Sequence, residues 1–360
     1  MQTSINRSAN LNPSHVERDI ASIRVVALGG GTGLANLLTG LKQYVHTCAG
    51  ASVGGIANLC AVVTVTDDGG SSGRLRKEFN ILPPGDIRNC IAALSEDAAL
   101  LSHLFQHRFH AGAGLSGHSF GNLFLTALTT ITGDFAEAVK QSSEILATRG
   151  HIYPSTVSDV QLEALMADGT RVVGETNITA STGRIVEIHL NPPDVRPLPQ
   201  TLDAIANADL ITIGPGSLFT SLVPNLLVHG IPEAIASSRA VKAFVCNLMT
   251  EANESLGLSA ADHIRVLNSH ARLPLVDYAI VNQTPVPSAL KAKYAAAGGS
   301  PIDVDVAAME SLGVTVILGD YLETNQGVAR HATDRVTRDL LQLCTPGKLV
   351  AVEAPCTEAA

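Results

Sequence analysis

Residues 61–79, AVVTVTDDGGSSGRLRKEF, place two carboxylates, a Gly/Ser-rich turn and several positive charges next to one another. The apolar residues 60–66 predict a strand, so Asp67 and Asp68 should lie at the carboxyl edge of a sheet. Carboxylate oxygens at that edge can hold Mg²⁺ or accept hydrogen bonds from ribose hydroxyls. A solvated Asp-Gly turn before a charged helix would explain the same residues without any ligand.

The turn that follows predicts an anion site. A nest of backbone N–H groups can form over Gly69, Gly70, Ser71 and Ser72. The cations just beyond it can reach anionic oxygens, and they are Arg74, Arg76 and Lys77. Carboxylates, a nest and cations together suit a nucleotide.

Two glycine loops follow other predicted strands. The first, GGGTG, lies between a strand over residues 23–28 and an amphipathic helix over residues 34–45, and the second is GPGS. Both loops offer free backbone N–H groups to phosphates at a helix start. The candidate phosphate-binding residues are Gly30, Gly31, Thr32 and Gly33 in the first loop and Gly214, Pro215, Gly216 and Ser217 in the second. Loops of this kind share a crevice in open α/β sheets, although a tight turn needs glycine for its shape alone.

The first loop departs from the known dinucleotide and triphosphate motifs. The G-x-G-x-x-G pattern fails because Leu34 stands at its third glycine position, and no Walker lysine follows. A dinucleotide oxidoreductase is therefore a weaker interpretation than another nucleotide-binding protein.

Further polar residues lie at predicted helix starts. LPPGDIRN places Asp86 as an N-cap and Arg88 in the first turn, and GHSFGN places His118 and Asn122 beside an apolar helix. We expect Arg88, His118 and Asn122 to face a ligand, with a capped helix and a core histidine as the structural alternatives. His103 and His107 have the i, i+4 spacing of a metal pair but no third ligand nearby, so they predict an exposed helix face.

Short apolar runs alternate with helical patterns along the chain, which predicts βαβ units and a mainly parallel α/β sheet. Helices dominate residues 87–148, whereas residues 160–190 alternate with period two and contain Asp-Gly and Thr-Gly turns. We therefore expect a single domain over residues 23–344 with a small inserted antiparallel β patch at 160–190. Residues 1–22 and 345–360 are expected to be flexible ends.

Composition excludes several classes of protein. The 360 residues are 46% hydrophobic, enough for a large core, while a net charge of −9 and the absence of Trp argue against nucleic-acid binding. No signal peptide is recognisable and every apolar run is too short for a membrane span, which predicts a cytoplasmic protein. The six cysteines lack CxxC spacing, so we expect reduced thiols and no zinc site.

Taken together, the motifs resemble a known family. GGGTG, TVTDDGGSSGRLR, LPPGDIRN, GHSFGN, GPGSLFTSLVPNLL and NLMTEANES occur in that order over most of the chain. They are similar to the bacterial gluconeogenesis factors, a branch of the CofD-like superfamily. The sister branch is the 2-phospho-L-lactate transferases, Mg²⁺-dependent enzymes that use a guanosine-linked donor. The resemblance implies a Rossmann-like three-layer fold, with the phosphates at the two glycine loops and Asp67 and Asp68 facing a sugar, a ribose or a metal.

The same resemblance implies a nucleotide or UDP-sugar ligand and a role in cell shape or wall synthesis during gluconeogenic growth. It leaves catalysis open, because a non-catalytic sensor and an Mg²⁺-dependent transferase both fit, and it assigns no cofactor beyond that Mg²⁺. A homodimer, a regulatory protein partner and the identity of the base and sugar are also open. Two departures from the family pattern bear on the ligand: Phe219 stands in place of Tyr, and residues 249–255 read MTEANES in place of MTQPGET.

Overall fold

The computed structural model describes residues 22–45, 55–96, 99–325 and 327–344. Both predicted flexible ends lie outside these ranges, except for Ser22, which is the first residue of a strand. The strands are β1 (Ser22–Gly29), β2 (Gly55–Val63), β3 (His151–Pro154), β4 (Gln161–Met166), β5 (Arg171–Val173), β6 (Ile185–Asn191), β7 (Leu210–Ile213), β8 (Val241–Val245), β9 (Tyr278–Asn282), β10 (Thr315–Gly319), β11 (Leu322–Asn325) and β12 (Val328–His331).

Helices account for most of the remaining described residues. They are α1 (Gly31–Lys42), α2 (Gly70–Phe79), α3 (Gly85–Leu94), α4 (Ala99–Gln106), α5 (Phe120–Thr132), α6 (Phe135–Ile145), α7 (Glu175–Ala180), α8 (Pro199–Ala206), α9 (Val223–Leu226), α10 (Ile231–Ser237), α11 (Ala260–Ala271), α12 (Ser288–Ala296), α13 (Val306–Ser311) and α14 (Thr333–Cys344). A single π-helical turn, Leu218–Leu222, precedes α9.

Seven strands form one parallel sheet in the order β10-β9-β8-β7-β1-β2-β3. The chain runs outward from β1 to β3, then returns to β7 on the other side of β1 and runs outward to β10. The order of the strands therefore reverses between β1 and β7. The loops that leave these two strands diverge around a crevice, which is where open α/β sheets bind their ligands.

The central strands are buried because helices cover the sheet. Residues 25–29 of β1 are buried. Helix α1 packs against α3 and α14, and its residues Leu34, Leu38 and Leu41 are fully buried. Such continuous apolar runs are typical of parallel strands that are covered on both faces. The predicted Rossmann-like α/β fold is confirmed.

The predicted antiparallel patch is also present. Strands β5, β4 and β6 form a three-stranded antiparallel sheet over residues 161–191. The structure adds a short helix, α7, between β5 and β6, which the period-two alternation did not predict. A second antiparallel pair, β11 and β12, follows the main sheet.

Several predicted boundaries were wrong. Strand β2 ends at Val63 instead of residue 66, so three further residues separate Asp67 from the strand. Helix α4 ends at Gln106, which leaves His107 outside the helix that His103 belongs to. The four thiols in the described ranges are free, and they are Cys60, Cys90, Cys246 and Cys344.

Within the described ranges, no single helix is both long and apolar enough to cross a membrane. Segments Leu218–Leu226 and Ile231–Ser237 reach that length and composition only as a pair, and they are bent by 76° at the break between them.

Candidate functional site

The two glycine loops meet at the reversal point of the sheet. A Cβ placed on Gly33 would lie 2.4 Å from the carbonyl oxygen of Pro215, so the two backbones approach as closely as glycine permits. Asn247, just after β8, holds the second loop from the other side. Its Nδ2 donates to the Gly216 carbonyl at 2.7 Å, and its Oδ1 accepts from the Gly216 N–H at 3.1 Å. The loops that leave three neighbouring strands are thus held together, by a close backbone approach between the glycine loops and by the side-chain amide of Asn247.

A cavity of about 210 Å³ lies beside these loops. Seven of the eight predicted loop residues line it, namely Gly30, Gly31, Thr32, Gly33, Pro215, Gly216 and Ser217. Gly214 instead makes the turn, with a φ of 80°. The opposite wall was not predicted, and it comes from the loop after β8, the β11–β12 hairpin and the first residues of α14. Arg330, an exposed residue of β12, is one of the residues of that wall.

Two glutamates join the loop after β8 to the second glycine loop. Glu251 accepts from the Ser217 hydroxyl at 2.9 Å. Glu254 accepts from the Thr220 hydroxyl at 2.8 Å and from the Phe219 N–H at 3.3 Å. Burial, followed by the negative charge of Glu251, raises the pKa of Glu254 to about 7. The unusual MTEANES segment therefore supports the loop and, through residues 249–251, lines the cavity.

The aspartates of the opening stretch have different partners. Asp67 accepts from the Gly69 N–H at 2.9 Å, which closes the turn at the start of α2. Asp68 accepts from the N–H and the hydroxyl of Thr176, at 2.9 and 2.6 Å, and so caps α7 of the inserted patch. Of the two predicted metal-binding residues, Asp67 therefore makes fewer hydrogen bonds that would compete with a metal ion.

Asp86 was predicted as an N-cap, and the structure corrects this. Pro84 is the N-cap of α3, and Asp86 lies in the first turn. Its carboxylate approaches the first glycine loop, since a Cβ on Gly30 would lie 2.8 Å from Asp86 Oδ2. Burial raises the pKa of Asp86 to about 6, a hydrogen bond from the Gly31 backbone opposes the rise, and the charge of Asp67 adds to it.

Glu175, the first residue of α7, was not predicted as a site residue. Burial and the charges of Asp67, Asp86, Asp68 and Glu254, in that order, raise its pKa to about 9. The carboxyl group is therefore protonated at neutral pH and can donate a hydrogen bond. Within the described ranges, no three His, Cys, Asp or Glu side chains are arranged as a metal site.

Three of the predicted site residues, Ser71, His118 and Asn122, form a buried hydrogen-bonded group. Asn122 Nδ2 donates to Ser71 Oγ at 3.0 Å, which leaves the Ser71 hydroxyl to donate to His118 Nδ1 at 2.8 Å. His118 then carries its proton on Nε2. Burial and the charges of Arg74 and Arg108 lower its pKa, so the ring is neutral at pH 7.

Two buried polar atoms near this group lack a partner among the described residues, Asn122 Oδ1 and Arg88 Nε. Arg88 packs against the start of α5, because a Cβ on Gly121 would lie 2.8 Å from Arg88 Cγ. Its Nη2 donates to Asn89 Oδ1 at 2.7 Å. An orphaned acceptor and an orphaned donor are what a polar ligand would satisfy.

The remaining predicted residues lie around the turn after Asp68. Gly69 is the N-cap of α2, and Gly70 begins the helix with a φ of 46°. Ser72 is buried and approaches Asp67 across Gly85, where a Cβ would lie 2.5 Å from Ser72 Oγ and 2.9 Å from Asp67 Oδ2. The arginines of α2 are used within the protein: Arg74 donates to the Ser116 carbonyl and Arg76 to Asp159.

The fold and this crevice define a Rossmann-like α/β protein with paired glycine loops at its reversal point. Residues 25–322 match the family described as 2-phospho-L-lactate transferase CofD. The chain therefore belongs to the CofD family.

Relatives within the family carry a common name. The chain is 44% identical over 320 residues to the gluconeogenesis factor of Bacillus subtilis, with 89% of this chain and 98% of the relative covered. It is 45% identical over 318 residues to the gluconeogenesis factor of Halalkalibacterium halodurans, with 88% and 95% covered. The crystal structure of a Bacillus halodurans protein has a TM-score of 0.85 at 45% identity and covers 89% of this chain and 99% of its own. The resemblance noted from the motifs is confirmed.

Proposed function

We propose that this protein binds a nucleotide sugar of the UDP class in the crevice between β1 and β7 and senses it without turning it over. The meeting of the two glycine loops beside a cavity is the observation that carries this proposal. Phosphates would lie against the N–H groups of Thr32 and Gly33 in the first turn of α1, with Arg330 on the opposite wall. Nothing in this arrangement requires a nucleophile from the protein.

The rest of the ligand would follow the crevice. The cavity of about 210 Å³ is smaller than the roughly 300–1,000 Å³ of typical ligand pockets. A nucleotide sugar placed there must therefore extend towards Asp86 and Asp67. Carboxylates on that side can accept hydrogen bonds from ribose or sugar hydroxyls, and the protonated Glu175 can donate one.

The physiological role that we propose follows from the relatives, two of which are named gluconeogenesis factors. A cytoplasmic sensor of a nucleotide sugar would link carbon supply during gluconeogenic growth to cell shape or wall synthesis. Transmission of the signal would require a protein partner.

Calorimetric titration with UDP-N-acetylglucosamine, GDP and NAD, each with Mg²⁺ and again with EDTA, tests the ligand class. We expect micromolar binding of the UDP-sugar that survives EDTA and gives no product after long incubation. Arg330→Ala should weaken this binding, whereas Arg171→Ala, an exposed arginine on the inserted patch, should leave it unchanged. Selective binding of NAD, or equal effects of the two substitutions, would contradict the proposal.

The second candidate is an Mg²⁺-dependent phospholactyl transferase. The charges of Asp67, Asp86 and Asp68 that raise the pKa of Glu175 favour it, because hard carboxylate oxygens near phosphate loops suit Mg²⁺. Asp67 and Asp86 would hold the ion, and a bound Mg²⁺ would neutralise the charge of the transferred group. Two carboxylates would leave most of the coordination sphere to water and to the phosphates of the substrate, as Mg²⁺ commonly requires.

Incubation with a guanosine-linked phospholactyl donor and a deazaflavin acceptor distinguishes the two candidates. Release of a guanosine nucleotide that stops in EDTA and in Asp67→Asn, but not in the exposed Asp168→Asn, would establish the transferase. Undiminished release by Asp67→Asn would exclude Asp67 as an essential metal ligand.

A further inference from the structure

The outer edge of the sheet at β3 lies in a second, larger groove. Its volume is about 860 Å³, and β3 is the last strand of the sheet within the described ranges. Helix α6 forms one wall, while Leu198 and Gln200 at the start of α8 lie on the other side of the strand. The groove is two strands away from β1 and separate from the crevice of the proposed ligand.

The backbone of β3 presents hydrogen-bonding groups to this groove. The Ser155 N–H donates to the Val63 carbonyl at 2.8 Å, so residues 151, 153 and 155 direct their backbone groups towards β2. Backbone direction alternates along a strand, which turns Ile152 and Pro154 outward. The edge therefore offers one donor, the Ile152 N–H, and two acceptors, the carbonyls of Ile152 and Pro154.

The walls indicate the shape of an occupant. Small side chains, Ala136, Ser143 and Ala147, line the α6 side and leave room for larger side chains from a partner. Because α6 and the start of α8 stand on both sides of β3, a single extended chain can enter. A second copy of the same sheet would have to bring its own flanking helices to this edge, which favours a single strand as the occupant.

The charge of the groove indicates the chemistry of an occupant. The acidic lining residues, Asp134, Glu137 and Glu144, outnumber the single lysine, Lys140. Lys140 lies 3.7 Å from Glu137, so part of its charge is already balanced within α6. A basic segment would complement this surface.

We propose that the groove along β3 binds an extended, basic segment of a partner protein, which adds to the sheet as an eighth strand. Main-chain hydrogen bonds to Ile152 and Pro154 would give part of the affinity, and alternate side chains would pack against α6 and α8. The shortness of β3 and the missing N–H of Pro154 protect the edge from indiscriminate pairing. A partner therefore also needs the contacts that the walls provide.

The test uses the full chain and a pool of peptides of about nine residues, with apolar residues at alternate positions and lysines at both ends. Members of the pool should bind, and hydrogen exchange at the Ile152 amide should slow. Two N-methylated forms of a bound peptide provide the decisive control. Each form carries its methyl groups along a different backbone edge, so that edge can no longer donate hydrogen bonds. Strand addition uses one edge of the peptide only, so one form should bind and the other should not.

Two exposed residues of α6 provide matched variants. Glu144→Lys should weaken binding by roughly fivefold, and Lys140→Glu should strengthen it by a similar factor. Equal binding of the two N-methylated forms would indicate adhesion by charge alone and would overturn the proposal. Failure of every peptide in the pool to bind would also overturn it. A dimer in solution that excludes the peptide would assign the edge to a second copy and also overturn it.

Discussion

The two halves of the crevice are built in different ways. On the β7 and β8 side, backbone groups of two glycine loops meet directly, and Asn247 holds them. On the β2 side, the site consists of side chains that come from α2, α3, α5 and α7. The first half depends on the absence of side chains, whereas the second depends on the charge and hydrogen bonding of each side chain present. Substitutions should therefore affect the two halves through different physical causes.

The largest expected effect is at the contact between the loops. Gly33→Ala places a Cβ 2.4 Å from the Pro215 carbonyl oxygen, and neither backbone can move far without disturbing its strand. We expect a loss of about 3 kcal/mol in the free energy of unfolding. Urea denaturation measures this loss, and titration with the UDP-sugar should show that binding falls with it.

The neighbouring position supplies the control. Thr32 is exposed, so Thr32→Ala should change the stability by less than about 0.5 kcal/mol. Wild-type stability and affinity in Gly33→Ala would mean that the loops can separate freely. The β7 and β8 side of the crevice would then not depend on the absence of side chains.

The second effect concerns the buried polar group. Ser71→Ala removes the hydroxyl between His118 and Asn122, so two buried side chains lose a hydrogen bond. An unsatisfied buried polar group costs about 1–3 kcal/mol, and we expect about 2 kcal/mol from urea denaturation. Ser72→Ala removes a hydroxyl from the next buried residue, which lies outside this group, and should cost less. Equal costs would show that burial alone determines the effect.

This contrast also explains what the sequence could predict. The order β1, α1, β2 and the two glycine loops depend on local periodicity and on turn residues, and these signals are contained in short segments. Seven of the eight loop residues lie on the cavity because parallel strands bring their carboxyl ends together. The same reasoning placed Asp67 at the correct edge, although β2 ends three residues earlier than predicted.

Glu175 could not be predicted in this way. It lies in a segment whose alternation indicates strands, and α7 has only six residues. Its position depends on the contact between Asp68 and Thr176, which are 108 residues apart in the chain. The pKa of Asp86 likewise depends on burial and then on the charge of Asp67, neither of which a short motif records.

The third prediction uses the pH dependence of stability. The folded chain holds the Glu175 proton up to a pKa of about 9, whereas an exposed glutamate loses it near 4.5. Stability should therefore fall as the pH rises through this interval. Asp86 and Glu254 lower the stability in the same way, but only up to their pKa values of about 6 and 7. The decline in stability between pH 7 and 9 should therefore report mainly on Glu175.

Glu175→Gln cannot ionise and should flatten this part of the profile, with a gain of about 1 kcal/mol at pH 8 after allowance for solvent screening. Thermal unfolding at several pH values measures the slope. Glu310→Gln, an exposed residue at the end of α13, should keep the slope of the wild type. A wild-type stability profile that is flat above pH 7 would show that solvent screens the carboxylates on the β2 side of the crevice.

The smallest expected effect separates a structural aspartate from a metal ligand. Thr176→Val removes the hydroxyl that donates to Asp68 at 2.6 Å but keeps the N–H that donates to it at 2.9 Å. The free energy of unfolding should therefore fall by about 1 kcal/mol or less. Thr176→Ser keeps the hydroxyl and serves as the control. If Asp68 only caps α7, Mg²⁺ should change the heat of nucleotide binding equally in both variants. If Asp68 binds the metal, Thr176→Val removes one of the two hydrogen bonds to its Oδ1 and so reduces the competition for that oxygen, and the Mg²⁺ dependence should become stronger in that variant alone.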